Sequence, residues 1–365
     1  FEGLIEFCAA DGGLTWRRRR GVPHFQYSYR FVKDLVALER FDAVCGALQE
    51  FTENMLSRWV TNCIRETGIH RVALSGGVFM NVKANKRILE IPELESLFIF
   101  PTCGDPTNSI GAAYQTYVTR CRENGGGKAL EPLGDIYFGP EYSDAEIERA
   151  LQQAGVSYRR SEDIEREVAG LLAQGEVVAR FKGRMELGAR ALGNRSILAD
   201  PAKPGVIRIV NDMIKNRDFW MPFAPSVAAD RADEYLVNPK RIEAPYMIMS
   251  FDSRIEHARI YAASHPYDRT VRPQVVYPEW NPDYYRLIKL FEEFSGTGAV
   301  LNTSFNLHGY PIVCAPADAL GVLRDSGLRN LAIGSFLVRK KEPDAANPQT
   351  QGRSSPAGGH LTPGA

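Results

Sequence analysis

The stretch Phe181-Lys-Gly-Arg-Met-Glu-Leu-Gly-Ala-Arg-Ala-Leu-Gly-Asn-Arg-Ser196 decides how the rest of the chain is read. A short apolar run, Val177-Val178-Ala179, precedes it and another, Ile197-Leu198-Ala199, follows. Both read as buried strands, so the stretch is the connection between them. It carries the cations Lys182, Arg184, Arg190 and Arg195, interleaved with Gly183, Gly188 and Gly193. Glycine lets a backbone approach a ligand closely, and arginine offers a planar fork of donors matched to phosphate or carboxylate. Together they predict a site for a polyanionic small molecule. The competing reading of the same residues is a surface loop whose arginines pair with Glu186 and Asp200.

Composition narrows the classes. At 365 residues the chain is long enough for two domains with cores of their own. Its 44% apolar and 24% charged content is ordinary for a soluble protein. Lys+Arg and Asp+Glu are both 44, so zero net charge gives no case for a nucleic-acid or membrane partner. No apolar run has the length needed to cross a bilayer. The start, Phe1-Glu2-Gly3, has neither Met nor a signal-peptide pattern and reads as a cut end. The six cysteines show no C-x-x-C pair, which predicts reduced thiols and a cytoplasmic home. Six scattered histidines predict no self-contained zinc site.

Read in order, residues 1–35 are aromatic and basic, and Arg17-Arg-Arg-Arg20 reads as a solvated loop. Phe41, Val44, Leu48, Phe51, Met55, Trp59 and Cys63 recur at helical spacing, predicting an amphipathic helix over 36–66 that Gly68 stops. The strand Arg71–Leu74 turns through Ser75-Gly76-Gly77 into a helix from Val78, presenting N–H groups to a phosphate or ribose. Asn81 and Asn85, four apart, share a helix face. A second strand over 97–100 delivers Asp105 at its carboxyl end, where α/β folds place ligands.

Residues 122–134 have linker composition and mark a domain boundary. Beyond it, Asp135–Phe138 reads as a strand and Ser143-Asp-Ala-Glu146 as a capping box. The helix 205–214 delivers Lys215 and Arg217. Tyr246–Met249 reads as a strand, Arg272-Pro-Gln274 as a loop end, and 282–294 as a helix. The strand 298–301 opens on the polar loop Asn302-Thr-Ser304-Phe-Asn306, a source of hydroxyl and amide donors. A helix follows Pro316 and two strands close the fold. From Glu342 the composition is that of a disordered tail.

Ser75-Gly-Gly-Val-Phe-Met-Asn81, Gly183-Arg-Met-Glu-Leu-Gly-Ala-Arg-Ala-Leu-Gly-Asn-Arg-Ser196, Lys215-Asn-Arg-Asp-Phe-Trp-Met-Pro-Phe-Ala-Pro225, Arg272-Pro-Gln274 and Leu301-Asn-Thr-Ser-Phe-Asn306 fall in one order. The set resembles the O-carbamoyltransferases of nodulation-factor and antibiotic biosynthesis, the NodU/CmcH family, over about residues 36–340. The resemblance implies an α/β chain: the later half of an actin-like (ASKHA) domain over 1–128, a YrdC-like domain with a mixed twisted sheet over 129–341, and a disordered tail over 342–365. It implies that ATP and carbamoyl phosphate are joined into carbamoyl adenylate, and that the carbamoyl group passes to a hydroxyl of a small-molecule alcohol or sugar. Arg190, Lys215, Arg272 and Ser304 then carry the chemistry. Gly76, Gly77, Asn81, Arg184, Arg195, Arg217, Asn302 and Asn306 bind nucleotide or phosphate. Asp105 matches an aspartate that helps hold a divalent metal, iron-like or Mg, whose other ligands fall outside this chain. Met221 stands where the family often has arginine. A homodimer is the expected assembly. The alternatives are a threonylcarbamoyl-adenylate synthase and a non-catalytic nucleotide-binding fragment.

Overall fold

The computed structural model describes residues 1–126, 130–215, 221–254 and 258–340. In the first part, β1 (Ile5–Phe7) pairs antiparallel with β2 (Trp16–Arg18), so the basic segment read as a loop contains a short ladder. Helix α1 (Tyr29–Val36) and the long α2 (Phe41–Thr67) follow, in place of one helix over 36–66. Gly68 ends α2 with φ 65°, its N–H donating to Ile64 O. Leu56, Val60 and Ile64 are the buried stripe of α2, one position off the predicted Met55, Trp59 and Cys63. Phe41 and Leu48 of the predicted stripe face solvent. A parallel pair, β3 (Arg71–Leu74) and β4 (Ser96–Ile99), is connected through α3 (Val82–Leu89), and α4 (Asn108–Glu123) closes this part.

The second part holds α5 (Asp144–Gln153), β5 (Tyr158–Arg160), α6 (Ile164–Ala173), β6 (Val178–Phe181), β7 (Arg195–Ala199) and α7 (Val206–Val210). Then come β8 (Ala224–Ala228), α8 (Ala232–Tyr235), β9 (Leu236–Val237), β10 (Phe251–Ser253), β11 (Thr270–Val271) and β12 (Gln274–Val276). The chain continues through α9 (Pro282–Ser295), β13 (Ala299–Ser304), α10 (Pro316–Asp325), β14 (Asn330–Ile333) and β15 (Phe336–Arg339). The predicted capping box is present: Ser143 Oγ accepts from Glu146 N while Glu146 accepts from Ser143 N. Tyr246–Met249 is buried but forms no ladder, because Met247 turns the chain with φ 55°. Asp135–Phe138 likewise lies outside every sheet, with Ile136 O accepting from Leu187 N of the arginine stretch.

An eight-stranded mixed sheet runs in the order β12-β8-β13-β7-β6-β14-β15-β5. The β12–β8 and β6–β14 pairs are parallel and the others antiparallel. Strand alternation sends successive side chains to opposite faces. Val178, Leu198 and Val300 pack under α6 and α9, together with Val168, Leu172, Leu287 and Phe291. Their neighbours Ala179, Ile197 and Leu301 face α5, α7 and α10 through Leu151, Val210 and Leu320. Each such aliphatic side chain contributes about 1.5–3 kcal/mol on full burial. A third core joins the two parts of the chain, with Val60, Ile88 and Leu97 packing together with Tyr246, Met249, Phe251 and Val271. The result is a mixed α/β fold built on one large sheet.

Candidate active site: a cationic pocket at the arginine loop

The connection between β6 and β7 is held by its own polar groups. Gly193 sits at φ 111° with its α-carbon against the Tyr284 ring, where an added Cβ would come within 2.3 Å of the ring. Gly188, at φ 95°, faces Thr102 in the loop after β4, where a Cβ would lie 3.0 Å from the threonine Cβ. This contact brings the arginine loop directly onto the first part of the chain. Glu186 is fully buried inside the turn, where its Oε1 accepts from Leu192 N (2.6 Å) and Arg195 N (3.2 Å). Desolvation pushes its carboxyl above the usual carboxylate range. Among the described residues neither Glu186 nor Asp200 forms an ion pair with an arginine, and Glu186 and residues 191–194 of the turn are buried, unlike a surface loop.

Four of the sequence-derived residues meet. Arg190, Arg272, Asn302 and Ser304 line one pocket with Ala189, Ala191, Ala224, Met247 and Thr303. Asn302 and Ser304 belong to β13 itself rather than to a loop beyond it, and the strand's register fixes them against Leu198 and Ser196 of β7. Burial pushes the Arg190 guanidinium down from its ordinary value. Its Nε has no hydrogen-bond partner among the described residues. Lys215 reaches the same place from the turn that ends α7. Its Nζ donates to Ser304 O (2.5 Å), Ser304 Oγ (3.2 Å) and Asn306 Oδ1 (2.6 Å). Asn306 also accepts from Ser304 Oγ at 2.6 Å, so it ties the lysine to the serine. No acidic side chain lines this pocket among the described residues. Chemically it can hold a phosphate or a mixed anhydride of phosphate, and stabilise charge that grows there.

Other sequence-derived residues are placed differently. Arg195 is a scaffold group rather than a ligand group. Its guanidinium lies 3.7 Å over the Phe181 ring and donates to the carbonyls of Gly183 (3.1 Å), Asn194 (2.9 Å) and Pro140 (3.2 Å). Burial lowers it to about 10, and its Nε has no hydrogen-bond partner among the described residues. Arg184 points away, donating to Phe138 O at 3.1 Å beside a separate polar cleft that contains Arg180, Lys182 and Asp283. Asn85 is buried and donates to Phe79 O and Ile248 O. Arg217 lies outside the described residues, as do the 342–365 tail and the 128/129 boundary.

In the first part, Gly76 has φ 120° and donates to Cys103 O at 2.7 Å, which sets the Gly76-Gly77 turn beside the loop carrying Asp105. Asn81 caps α3, accepting from Ala84 N at 3.1 Å, and exchanges amide hydrogen bonds with Gln49. Its acceptor and one of its two amide donors are thus engaged. Asp105 is exposed at the start of a single 3-10 turn. Among the described residues no group of three or more His, Cys, Asp or Glu could hold a metal ion. All six cysteines are free thiols. No helix of the described residues is long and apolar enough to cross a membrane.

Comparison with known proteins decides the family. A carbamoyltransferase N-terminus model matches residues 25–114, and a carbamoyltransferase C-terminus model matches residues 169–340. The chain belongs to the carbamoyltransferase family. It is 32% identical over 364 residues to an uncharacterised protein of Synechocystis sp., covering 93% of this chain and 58% of that one. It is 32% identical over 330 residues to the nodulation protein NolO of Bradyrhizobium diazoefficiens, covering 89% and 57%. It is 29% identical over 273 residues to the 3'-hydroxymethylcephem-O-carbamoyltransferase of Amycolatopsis lactamdurans, covering 74% and 49%. This carbamoyltransferase chain spans about half the length of the curated relatives it matches. The C-terminal match contains the whole cationic pocket, from Arg190 to Ser304. Thr303 and Ala224, inside the 301–306 and 215–225 motifs but not singled out there, also line it, from β13 and β8.

Proposed function

We propose that this chain is the adenylating portion of an ATP-dependent O-carbamoyltransferase of the NodU/CmcH type. The actin-like and YrdC-like assignments of its two parts belong to the same reading. One observation carries it: Arg190, Arg272 and Ser304 line one pocket, and Lys215 reaches Ser304 there. Carbamoyl phosphate loses its phosphoryl group to water, giving carbamate and phosphate. A carbamate oxygen then attacks the α-phosphorus of ATP, the bond to the β,γ-unit breaks, and carbamoyl adenylate and pyrophosphate result. Both steps gather negative charge, and cations already fixed in place stabilise it without reorganising. The hydroxyl oxygen of a small-molecule alcohol finally attacks the carbamoyl carbon, and AMP departs. That transfer uses more of the protein than the half-length spanned here, so adenylation is the activity assigned to this chain.

The test is ATP–pyrophosphate exchange that depends on carbamoyl phosphate. Exchange by the 365-residue chain supports the reading. Exchange that requires threonine and bicarbonate instead supports the threonylcarbamoyl-adenylate alternative. ATP binding with no exchange under either condition leaves a non-catalytic nucleotide-binding fragment.

A further inference from the structure

Arg190 reaches the pocket with nothing polar holding its Nε, so its place is set by the backbone that follows it. That backbone is fastened at consecutive peptide groups by side chains from distant strands. Gln274, at the first position of β12, donates from Nε2 to Leu192 O at 2.8 Å. Asn302 of β13 donates from Nδ2 to Ala191 O at 3.1 Å. The two amides meet at Ser226 of β8: Ser226 Oγ donates to Gln274 Oε1 at 2.8 Å and accepts from Asn302 Nδ2 at 2.9 Å. All three side chains are buried, and Gln274 and Ser226 lie directly opposite one another in the β12–β8 ladder. From the other side, Glu186 holds Leu192 N, and Tyr137 OH donates to Leu192 O at 2.8 Å.

We infer that Gln274 is a positioning residue for Arg190, acting through the Leu192 carbonyl, with Ser226 fixing which way the Gln274 amide faces. Buried amides are costly to leave unpaired, and the Gln274 amide is engaged at both ends, by the Leu192 carbonyl and by Ser226 Oγ, which fixes the residues just after Arg190. Gln274 never touches the ligand space, because the pocket lining contains Asn302 but not Gln274. Only the consequence for catalysis rests on the adenylation reading. The consequence for loop order stands apart from it.

The experiment uses the 365-residue chain with Gln274→Met, Ser226→Ala and Arg190→Ala, alone and in pairs. Amide hydrogen exchange at Leu192, Gly193 and Arg195, whose N–H groups are bonded within the loop, is expected to speed up tenfold or more in Gln274→Met. Ser226→Ala is expected to give a smaller rise, with strand amides 197–199 unchanged in both. Unchanged loop exchange in folded Gln274→Met and Ser226→Ala overturns the inference. If Gln274→Met does not fold, Ser226→Ala decides alone. In pyrophosphate exchange, Gln274→Met is expected to lower kcat about ten- to a hundredfold with little change in KM. It is expected to cost nothing further when Arg190 is already alanine, whereas an equal loss in both backgrounds marks a merely structural role and also overturns the inference. A wild-type chain that catalyses no exchange sinks the adenylation reading alone, since the amides still report on positioning.

Discussion

Arg180 and Lys182, at β6 and its exit, and Arg190 and Arg272, at the pocket, meet different surroundings. On one side Arg180 donates to Glu165 (3.3 Å), and Lys182 pairs with Glu165 (2.7 Å) and Asp283 (2.8 Å). There the charges are matched, and the side chains of Arg180 and Glu165 are 3% and 6% exposed. On the other side, Arg190 and Arg272 line a pocket with Asn302, Thr303 and Ser304. The residue types are alike, and the partners differ. A matched buried pair is a structural element, while Arg190, whose buried Nε has no partner among the described residues, keeps a donor for an anion from outside.

The strongest way to break this contrast is Arg190→Ala. Loss of a fixed donor to developing charge lowers carbamoyl-phosphate-dependent exchange by about a hundred- to a thousandfold, with the thermal midpoint unchanged. Exchange at the wild-type rate removes Arg190 from the site. On the matched side, Glu165→Ala leaves buried Arg180 without its carboxylate, and unfolding by denaturant should show a loss of about 3–5 kcal/mol. A loss no larger than that of a surface substitution would show that the pair is not integral to the fold.

Smaller effects sharpen the comparison. Glu186 is raised by burial, so its neutral form is favoured in the folded chain. Its contribution is therefore fully present below the usual carboxylate range and is lost as pH rises through its folded value. Glu186→Gln should flatten stability against pH across that window, and an unaltered slope would clear Glu186 of the role. Asp268 is opposed by burial, yet the hydrogen bond from Lys83 of α3 holds it down at about 2. Its contribution is present above the ordinary aspartate value and fades as pH falls toward 2. Both partners are partly exposed, so Asp268→Asn should cost about 1 kcal/mol or less by denaturant titration.

Much of the scaffold was legible because its signals are local. The capping box at Ser143, the glycine that ends α2 and the strands around the arginine loop each depend on residues within a few positions of one another. Asn302 and Ser304 were assigned to a loop because polar residues seldom fill a central strand. They do so here because their side chains border the pocket. Met247 broke an apolar run that otherwise read as a strand, through a backbone angle that residue type does not announce. Arg195 shows a related limit of residue type. Its partners are main-chain carbonyls, which carry no sequence signature, so a scaffold arginine and a ligand arginine look the same on the page.

Most of the pocket's polar lining is carried by the sheet. Asn302, Thr303 and Ser304 sit on β13, hydrogen-bonded on both sides by β8 and β7. A ligand arriving there meets groups that were brought to order when the chain folded. Association should therefore cost little additional conformational freedom on the strand side, and temperature should alter affinity mainly through the water and counter-ions released.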